Sequence, residues 1–410
     1  MKKWLVGLLT AASIFTTALS VADTTTTDTN KPQMLVPASP KINAKGYVLM
    51  DAHSGKIIAE HNMNKRMAPA SLTKMMTLYI VSDALKNGTI HLDDKVRVSK
   101  SAHSRGGSKM FIKEGEEVPV KDLIHGVIVQ SGNDACVALA EFIAGNESTF
   151  ASLMNQTAAK LGMKDSHFTD STGLPHPNHY TTPHDMAVLA AALVTDFPQY
   201  YHWYSQKWFT YNGIKQPNRN RLLWRYKYAD GIKTGHTEEA GYCLVSSAQK
   251  DGMRLISVVM GAPTDNERAQ DSQALFTYGF RFFDTYKLYT ANEAITKPRV
   301  YGGKKKSVPV GVKRDVYVTL PRGQYDNLKA ITNIKEPIKA PVKKNQVMGD
   351  LQVNLYGDQL VNQQLVALSG DPKGGMWTRM TDSIGVKFHK KSKHNDDSDE
   401  ADSTDSEDES

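Results

Sequence analysis

The sequence predicts an α/β (α+β) protein, with a sheet flanked by helices over residues 41–290 and a small all-β domain over residues 291–372. In the first region, helical and strand periodicities of apolar residues alternate, separated by turn residues. In the second, short Val- and Leu-rich segments are interspersed with Lys, Pro and Gly. Apolar residues make up 40% of the 410 residues and charged residues 23%, which excludes wholesale disorder and a multispanning membrane protein.

Each element of the first region is predicted from its own end signals. Residues 45–61 alternate around a His-Ser-Gly turn, which indicates a hairpin, and Pro69 begins a helix that Asn87-Gly88 ends. Further helices are predicted at 121–145 (broken at 131–133), 147–161, 184–194 and 265–286, and strands at 232–237, 242–250 and 254–261. The last two strands are joined through Asp251-Gly252, which is typical of a tight turn.

Residues 1–22 have the form of a secretory signal peptide. Lys2 and Lys3 precede an apolar run from Trp4 to Leu19, and the small residues up to Ala22 form a cleavage site. The run is short for a bilayer crossing, so cleavage is favoured over an uncleaved anchor. Residues 23–40, rich in Thr, Asp and Pro, are predicted to form a mobile leader. Export argues against nucleic acid as a partner and leaves cell-wall polymer and lipid.

Ser71 and Lys74 form a Ser-x-x-Lys motif at the start of the predicted Pro69 helix. Positions i and i+3 share one helical face, so the hydroxyl and the amine can meet. The helix N-terminus also favours a developing negative charge. The motif occurs again at Ser247 and Lys250, but there it lies in a predicted strand, where i and i+3 face opposite sides. Only the first copy is therefore a candidate catalytic pair.

Two further short motifs follow in the chain. Ser131 and Asn133 lie in the predicted break between two helices, where a loop can present a hydroxyl and an amide to a cleft. Lys233-Thr234-Gly235 lies on a predicted strand, where the glycine allows a substrate backbone to approach closely. Alone, each motif would be read as ordinary turn or strand residues. Together, the three motifs are a specific signal of catalytic function. They occur in a defined order, and each lies on the predicted element that its chemistry needs: a helix start, a loop between helices and a strand.

This set is typical of penicillin-binding proteins and class A β-lactamases. From about Lys41 to Lys373, the chain resembles the low-molecular-mass penicillin-binding proteins that act as serine-type D-alanyl-D-alanine carboxypeptidases. The segments that carry the resemblance are 69–77, 131–136, 230–237 and 279–283, and His236 directly after Lys-Thr-Gly is similar to the carboxypeptidase branch. The resemblance implies a β-lactamase/transpeptidase-like domain with an antiparallel sheet, followed by the β-rich domain.

The resemblance implies a role for each residue of the three motifs. Ser71 is the expected nucleophile, and Lys74 its general base if its amine is neutral, which burial and the nearby cation Lys233 favour. Ser131 is expected to pass a proton to the departing D-alanine. Asn133 is expected to hold the substrate amide or to orient Lys74.

Substrate recognition is expected around the Lys-Thr-Gly strand. The oxyanion is placed between the backbone N–H groups of Ser71 and His236. A free carboxylate at the end of the leaving residue calls for hydroxyls and a bidentate arginine. The expected substrate-binding residues are Lys233, Thr234, Gly235, His236, Thr237, Arg219, Arg268 and, more weakly, Ser108. Surface salt bridges are the alternative for the two arginines. Arg221 stands where the family usually has glycine, which leaves the local loop geometry open.

Several other chemistries are disfavoured. No Glu-x-x-x-Asn follows the Ser-x-Asn loop, and Glu141 and Glu147 lie in helices close behind it, so efficient β-lactam hydrolysis is not expected. We expect β-lactams to acylate Ser71 and leave slowly. The spacing of His176, His179 and His184 in a Pro-rich loop favours loop and cap roles, so no metal and no cofactor are expected. Cys136 and Cys243 are predicted to be buried free thiols rather than a disulfide.

The C-terminal residues combine an apolar stripe with charge. Trp377, Met380, Ile384 and Phe388 recur at helical spacing within residues 373–394, and lysines crowd the end of the stripe. This pattern predicts an amphipathic helix for peripheral membrane contact, with a solvated helix as the alternative. Residues 395–410 are predicted to be a disordered acidic tail. The tail carries nine acidic residues, whereas the whole chain has a net charge of +7.

The sequence therefore predicts an exported, periplasmic D,D-carboxypeptidase that trims the last D-alanine from peptidoglycan pentapeptide stems, with β-lactams as covalent inhibitors. The resemblance places it on the outer face of the cytoplasmic membrane. D,D-endopeptidase activity on cross-links is one alternative, since the same machinery can cut both. A non-catalytic wall-binding scaffold is the other, although a scaffold has no need of Ser71 and Lys74 together.

Overall fold

The computed structural model describes residues 36–382. The predicted signal peptide, most of the leader and the acidic tail lie outside the described residues. The helices are α1 Lys74–Lys86, α2 Lys100–Ser104, α3 Val120–Gln130, α4 Asn133–Ala144, α5 Glu147–Leu161, α6 Pro183–Asp196, α7 Pro198–Tyr201, α8 Leu222–Arg225 and α9 Asp265–Phe282. The strands of the same region are β1 Gly46–Asp51, β2 Ile57–His61, β3 Lys95–Arg97, β4 Glu117–Pro119, β5 Trp208–Tyr211, β6 Ile214–Pro217, β7 Ala229–Thr237, β8 Gly241–Lys250 and β9 Met253–Ala262.

A five-stranded antiparallel sheet in the order β2-β1-β9-β8-β7 lies at the centre of this region. All ten residues of β9 are buried, because the sheet is covered on both faces. In β1, Val48 and Met50 pack into the helical core, whereas Leu49 packs with Phe276 of α9 on the opposite face. This alternation follows from the two-residue period of a strand. The predicted sheet with flanking helices is confirmed.

The predicted elements agree closely with these bounds, with two differences. The Pro69 helix begins as a tight 3₁₀ turn, Ala70–Thr73, before α1. The predicted helix at 265–286 is wrong for its last four residues, because α9 ends at Phe282 and Phe283 begins a strand. That strand pairs with a strand of the β-rich region. Long-range pairing therefore decides the end of the helix.

The β-rich region contains strands β10 Phe283–Tyr289, β11 Val300–Tyr301, β12 Val310–Gly311, β13 Val316–Pro321, β14 Leu328–Ile334, β15 Ile338–Lys339, β16 Val347–Leu355 and β17 Asp358–Ala367. Its largest sheet has the order β12-β17-β16-β14. The rings of His53 and Tyr317 stack with centroids 4.7 Å apart, and Ser54 Oγ lies 2.6 Å from Thr319 Oγ1. These contacts join the β-rich region to the β1–β2 hairpin.

Of the amphipathic helix predicted at 373–394, residues 376–382 are helical, whereas residues 373–375 are not and residues 383–394 lie outside the described residues. Met376 and Trp377 are exposed by 75% and 77%. Within residues 36–382, no helix is long and apolar enough to cross a membrane.

Candidate active site

Ser71 lies in the 3₁₀ turn that precedes α1, where the backbone has little freedom. Ala70 adopts a positive φ of 48°, which is strained for a residue with a side chain. Two glycines pack against this turn. An added Cβ at Gly235 of β7 would lie 3.0 Å from the Pro69 carbonyl oxygen, and one at Gly173 would overlap the Ala70 carbonyl. The turn that carries Ser71 is thus held between β7 and the loop around Gly173.

Lys74 is fully buried, and its amine contacts Ser71. Lys74 Nζ lies 3.0 Å from Ser71 Oγ and donates to the Thr172 carbonyl oxygen at 2.6 Å. Burial, with a smaller contribution from the positive charge of Arg219, lowers the pKa of Lys74 from its usual value to about 8. A substantial neutral fraction therefore exists near neutral pH, and a neutral amine at this distance can accept the hydroxyl proton.

Ser131 and Asn133 present unpaired polar atoms to the same region. Ser131 is buried at the end of α3 with φ of 60°, and its hydroxyl has no hydrogen-bond partner among the described residues. Asn133 donates from Nδ2 to the Gly106 carbonyl at 2.6 Å, while its Oδ1 is buried and has no partner within residues 36–382. Buried polar atoms normally have partners. These two are therefore available to a substrate.

Strand β7 brings the Lys-Thr-Gly motif against the turn that carries Ser71. Lys233 is buried, its Nζ donates to the Thr234 carbonyl at 3.0 Å, and burial followed by repulsion from Lys74 lowers its pKa. His236 is exposed and its ring packs on Tyr242 with centroids 4.1 Å apart. Thr237 Oγ1 accepts from the Ala240 N–H at 3.1 Å. In the central sheet β7 is the end strand, so its outer edge can take an extended peptide.

The two candidate arginines have different surroundings. Arg219 is exposed, has no hydrogen-bond or ion-pair partner among the described residues, and lowers the pKa of both Lys74 and Lys233. Arg268 is buried, donates to the Gly235 carbonyl at 3.0 Å and pairs with Asp265. Of these two arginines, only Arg219 has a guanidinium that no group within residues 36–382 engages and that is therefore free to bind a carboxylate. Arg221, whose loop was in doubt, has ordinary helical dihedrals and pairs with Asp265 at 2.7 Å.

The remaining candidate residues differ in what they contact. The Ser108 carbonyl accepts from the Asn133 N–H at 2.7 Å. Glu147 binds the Ser171 hydroxyl at 2.8 Å and pairs with Arg105.

Ser247 lies on β8 and accepts from Arg254, so the second Ser-x-x-Lys copy is on a strand as predicted. Within residues 36–382, no group of three acidic, His or Cys side chains could hold a metal. Cys136 and Cys243 are buried and free.

Sequence reasoning missed the loop at residues 169–173. Its Thr172 carbonyl binds Lys74, and a backbone carbonyl leaves no signal in the sequence. Asp170 accepts from the Thr172 and Gly173 N–H groups, and this Asp-x-Thr-Gly turn was detectable as a turn, though not as part of a site. His179, assigned only a loop or cap role, contacts Thr73 at 2.9 Å through Nε2.

Two family models match the chain. The one described as D-alanyl-D-alanine carboxypeptidase matches residues 33–264, and the penicillin-binding protein 5 C-terminal domain matches residues 283–373. The D-alanyl-D-alanine carboxypeptidase DacC of Escherichia coli is 45% identical over 86% of this chain and 90% of its own.

Solved structures give the same relationship. Penicillin binding protein 5 from Haemophilus influenzae superposes with a TM-score of 0.77 at 45% identity, covering 82% of this chain and 100% of that one. Penicillin-Binding Protein D2 from Listeria monocytogenes, in its ampicillin-bound form, has a TM-score of 0.55 at 30% identity. It covers 59% of this chain and 100% of that one.

Proposed function

The chain belongs to the D-alanyl-D-alanine carboxypeptidase family, and we propose that it removes the terminal D-alanine of peptidoglycan pentapeptide stems through an acyl-enzyme on Ser71. It is a serine hydrolase. The observation that carries the assignment of the nucleophile is the buried Lys74 amine 3.0 Å from Ser71 Oγ. A serine needs such an adjacent base to become a strong nucleophile.

The proposed reaction has two halves. Lys74 takes the Ser71 proton as Oγ attacks the carbonyl carbon of the penultimate D-alanine, and the N–H groups of Ser71 and His236 stabilise the oxyanion. The C–N bond then breaks, and Ser131 relays a proton to the departing D-alanine amine. Water next attacks the ester, which releases the tetrapeptide stem and restores Ser71. Asn133, with its free Oδ1, is placed to accept from the substrate amide.

The terminal carboxylate is proposed to bind among the cations and hydroxyls along β7. Lys233 and Thr234 lie on the strand and Thr237 is its last residue, and Arg219 supplies a guanidinium that has no partner in the described part of the chain. Arg268 contributes by holding the Gly235 carbonyl, since its donors are already engaged. Ser108 remains a weaker candidate, because its carbonyl holds Asn133.

Replacing Arg219 by glutamine is expected to lower kcat/KM about 10- to 100-fold for a peptide ending in a free D-Ala-D-Ala carboxylate. The loss should be much smaller for the same peptide ending in an amide, because only the carboxylate needs the cation. Arg221→Gln is the matched control, since that exposed neighbour pairs with Asp265. Equal losses for both peptides would exclude carboxylate recognition by Arg219.

The proposed function is tested by incubating the mature chain with a pentapeptide and with a cross-linked muropeptide dimer, and measuring released D-alanine and cleaved dimer. A separate sample is incubated with a penicillin, and its intact mass is measured. Rapid D-alanine release and a stable one-to-one penicillin adduct are expected. Cleavage of the dimer alone would favour the endopeptidase. No adduct and no penicillin consumption would favour the scaffold, whereas rapid consumption would identify a β-lactamase.

We also propose that the protein is exported and that its C-terminal helix contacts the outer face of the cytoplasmic membrane. The form of residues 1–22 and the exposure of Met376 and Trp377 support this. Trp377→Ser is expected to weaken binding of the mature chain to anionic vesicles about 10-fold. Trp224→Ser, which removes an exposed tryptophan of the peptidase region, should leave binding unchanged. Equal binding by both variants would exclude this contact.

A further inference from the structure

We propose that Asp170 and His179 are positioning residues that fix the Thr172 carbonyl on Lys74 and thereby control Lys74 as the base. This inference rests on the proposed role of Lys74 in acylation. Neither residue contacts Ser71 in the described structure. They act through a closed set of contacts that begins at the Thr172 carbonyl and returns to the turn carrying Ser71.

One carboxylate oxygen of Asp170 organises the loop itself. Asp170 Oδ1 accepts from the Thr172 N–H at 2.6 Å, from the Thr172 hydroxyl at 2.7 Å and from the Gly173 N–H at 2.7 Å. The two N–H bonds fix the peptide planes on either side of Thr172, and the second of these planes contains the Thr172 carbonyl. The carbonyl oxygen is thereby directed at Lys74 Nζ, 2.6 Å away.

The other oxygen ties the loop to the helix of the nucleophile. Asp170 Oδ2 lies 3.4 Å from His179 Nδ1, which also lies 2.9 Å from Thr169 Oγ1, and the opposite ring nitrogen, Nε2, lies 2.9 Å from Thr73 Oγ1. Thr73 directly precedes Lys74 in the chain. The His179 ring is buried, with only 4% of the residue exposed, and packs edge-on against Phe168. The imidazole therefore acts as a spacer of fixed length between the loop and the turn.

The residues on both sides of Thr172 are tightly packed. An added Cβ at Gly173 would overlap the Ala70 carbonyl, and Thr77 Oγ1 donates to the Ser171 carbonyl at 2.7 Å. Glu147 holds the Ser171 hydroxyl from the other side. Because both flanks are fixed, loss of the Asp170 bonds would act on the Thr172 peptide between them. Its carbonyl is the atom that binds Lys74.

Asp170 also acts through its charge. The groups that face Lys74 are Asp170, the neutral thiol of Cys136, Asp134 and the cations Arg219 and Lys233. Burial of Asp170 opposes its ionisation, but the hydrogen bonds from His179 and Thr172 outweigh this and hold its pKa well below the usual range. Its permanent negative charge raises the pKa of Lys74. Removing that charge would lower the pKa of Lys74 and make it a weaker base.

The test compares acylation by a penicillin in the mature native chain, Asp170→Asn and His179→Gln. The limiting acylation rate constant and the prior noncovalent dissociation constant are measured separately across the Lys74 titration. Asp170→Asn is expected to lower the limiting rate about 10- to 100-fold and to leave the dissociation constant within about threefold of the native value. The acid limb of the pH–rate profile, where the rate rises as Lys74 loses its proton, should move to lower pH. His179→Gln should lower the limiting rate without moving the limb to lower pH.

His184→Gln is the matched control, because His184 Nδ1 also lies 3.4 Å from an aspartate, Asp185, but does not reach the turn of Ser71. It should acylate at the native rate. Thermal unfolding of each variant measures the folded fraction. The proposal is overturned if Asp170→Asn keeps the native rate and limb, or if its rate falls only with the folded fraction while the limb stays in place. Failure of the native chain itself to form an adduct would instead refute the proposed function.

Discussion

Replacing Ser71 by alanine is expected to abolish the penicillin adduct and to lower D-alanine release at least about 10³-fold. In the described part of the chain, no other hydroxyl makes a hydrogen bond with the Lys74 amine, so water would be the remaining nucleophile. The folded structure should persist, since Ser71 lies partly exposed in a turn and its hydroxyl makes a single hydrogen bond among the described residues. The adduct is measured by intact mass and the release by assay of free D-alanine.

Ser247→Ala provides a stringent control for this variant. Ser247 belongs to the second Ser-x-x-Lys copy, which lies on β8, and its hydroxyl accepts from Arg254 at 2.6 Å. The control should form the penicillin adduct at the native rate. An adduct that survives in Ser71→Ala and disappears in Ser247→Ala would show that the wrong copy of the motif had been chosen.

Much of the fold was predictable because local signals and tertiary contacts agree. The break predicted at 131–133 corresponds to Ser131 and Gly132 between α3 and α4, and the turn at Asp251-Gly252 joins β8 and β9. The local sequence signal and the tertiary contacts disagree at residues 283–286. This segment continues the apolar pattern of α9, but its residues pair with β13 more than 30 positions later. A helical pattern carries no information about such a distant strand, so long-range pairing prevails.

The site was predictable to the extent that side chains of distinctive chemistry define it. Ser71, Lys74 and Lys233 were selected as candidates from residue type, spacing and the predicted element of each, and the structure places the Lys74 amine 3.0 Å from Ser71 Oγ. The positive φ of Ala70 could not be found, because alanine carries no preference for that conformation. Nor could the Thr172 carbonyl, since every residue has a carbonyl. The difference between Arg219 and Arg268 was also hidden, because it depends on which guanidinium is already paired.

Lys74→Arg is expected to lower the acylation rate constant by about 10²- to 10⁴-fold at every accessible pH. Arginine can still donate to Ser71 and Thr172, but its guanidinium stays protonated and cannot accept the hydroxyl proton. The native rate should rise with pH as Lys74 loses its proton, with a midpoint near the Lys74 pKa of about 8, and this limb should be absent in the variant. Stopped-flow acylation by a chromogenic cephalosporin measures both.

Combining Ser71→Ala with Lys74→Arg shows whether Ser71 and Lys74 act in one step of the reaction or in two independent steps. If Lys74 acts only by activating Ser71, the double variant Ser71→Ala, Lys74→Arg should be no slower than Ser71→Ala alone, because the residues act as a unit. Lys250→Arg, in the second copy of the motif, should acylate normally. A Lys74→Arg variant within about tenfold of the native rate would mean that Lys74 is needed as a cation. The base would then have to be sought at Lys233, which lies on β7 and whose pKa is lowered by burial and by repulsion from Lys74.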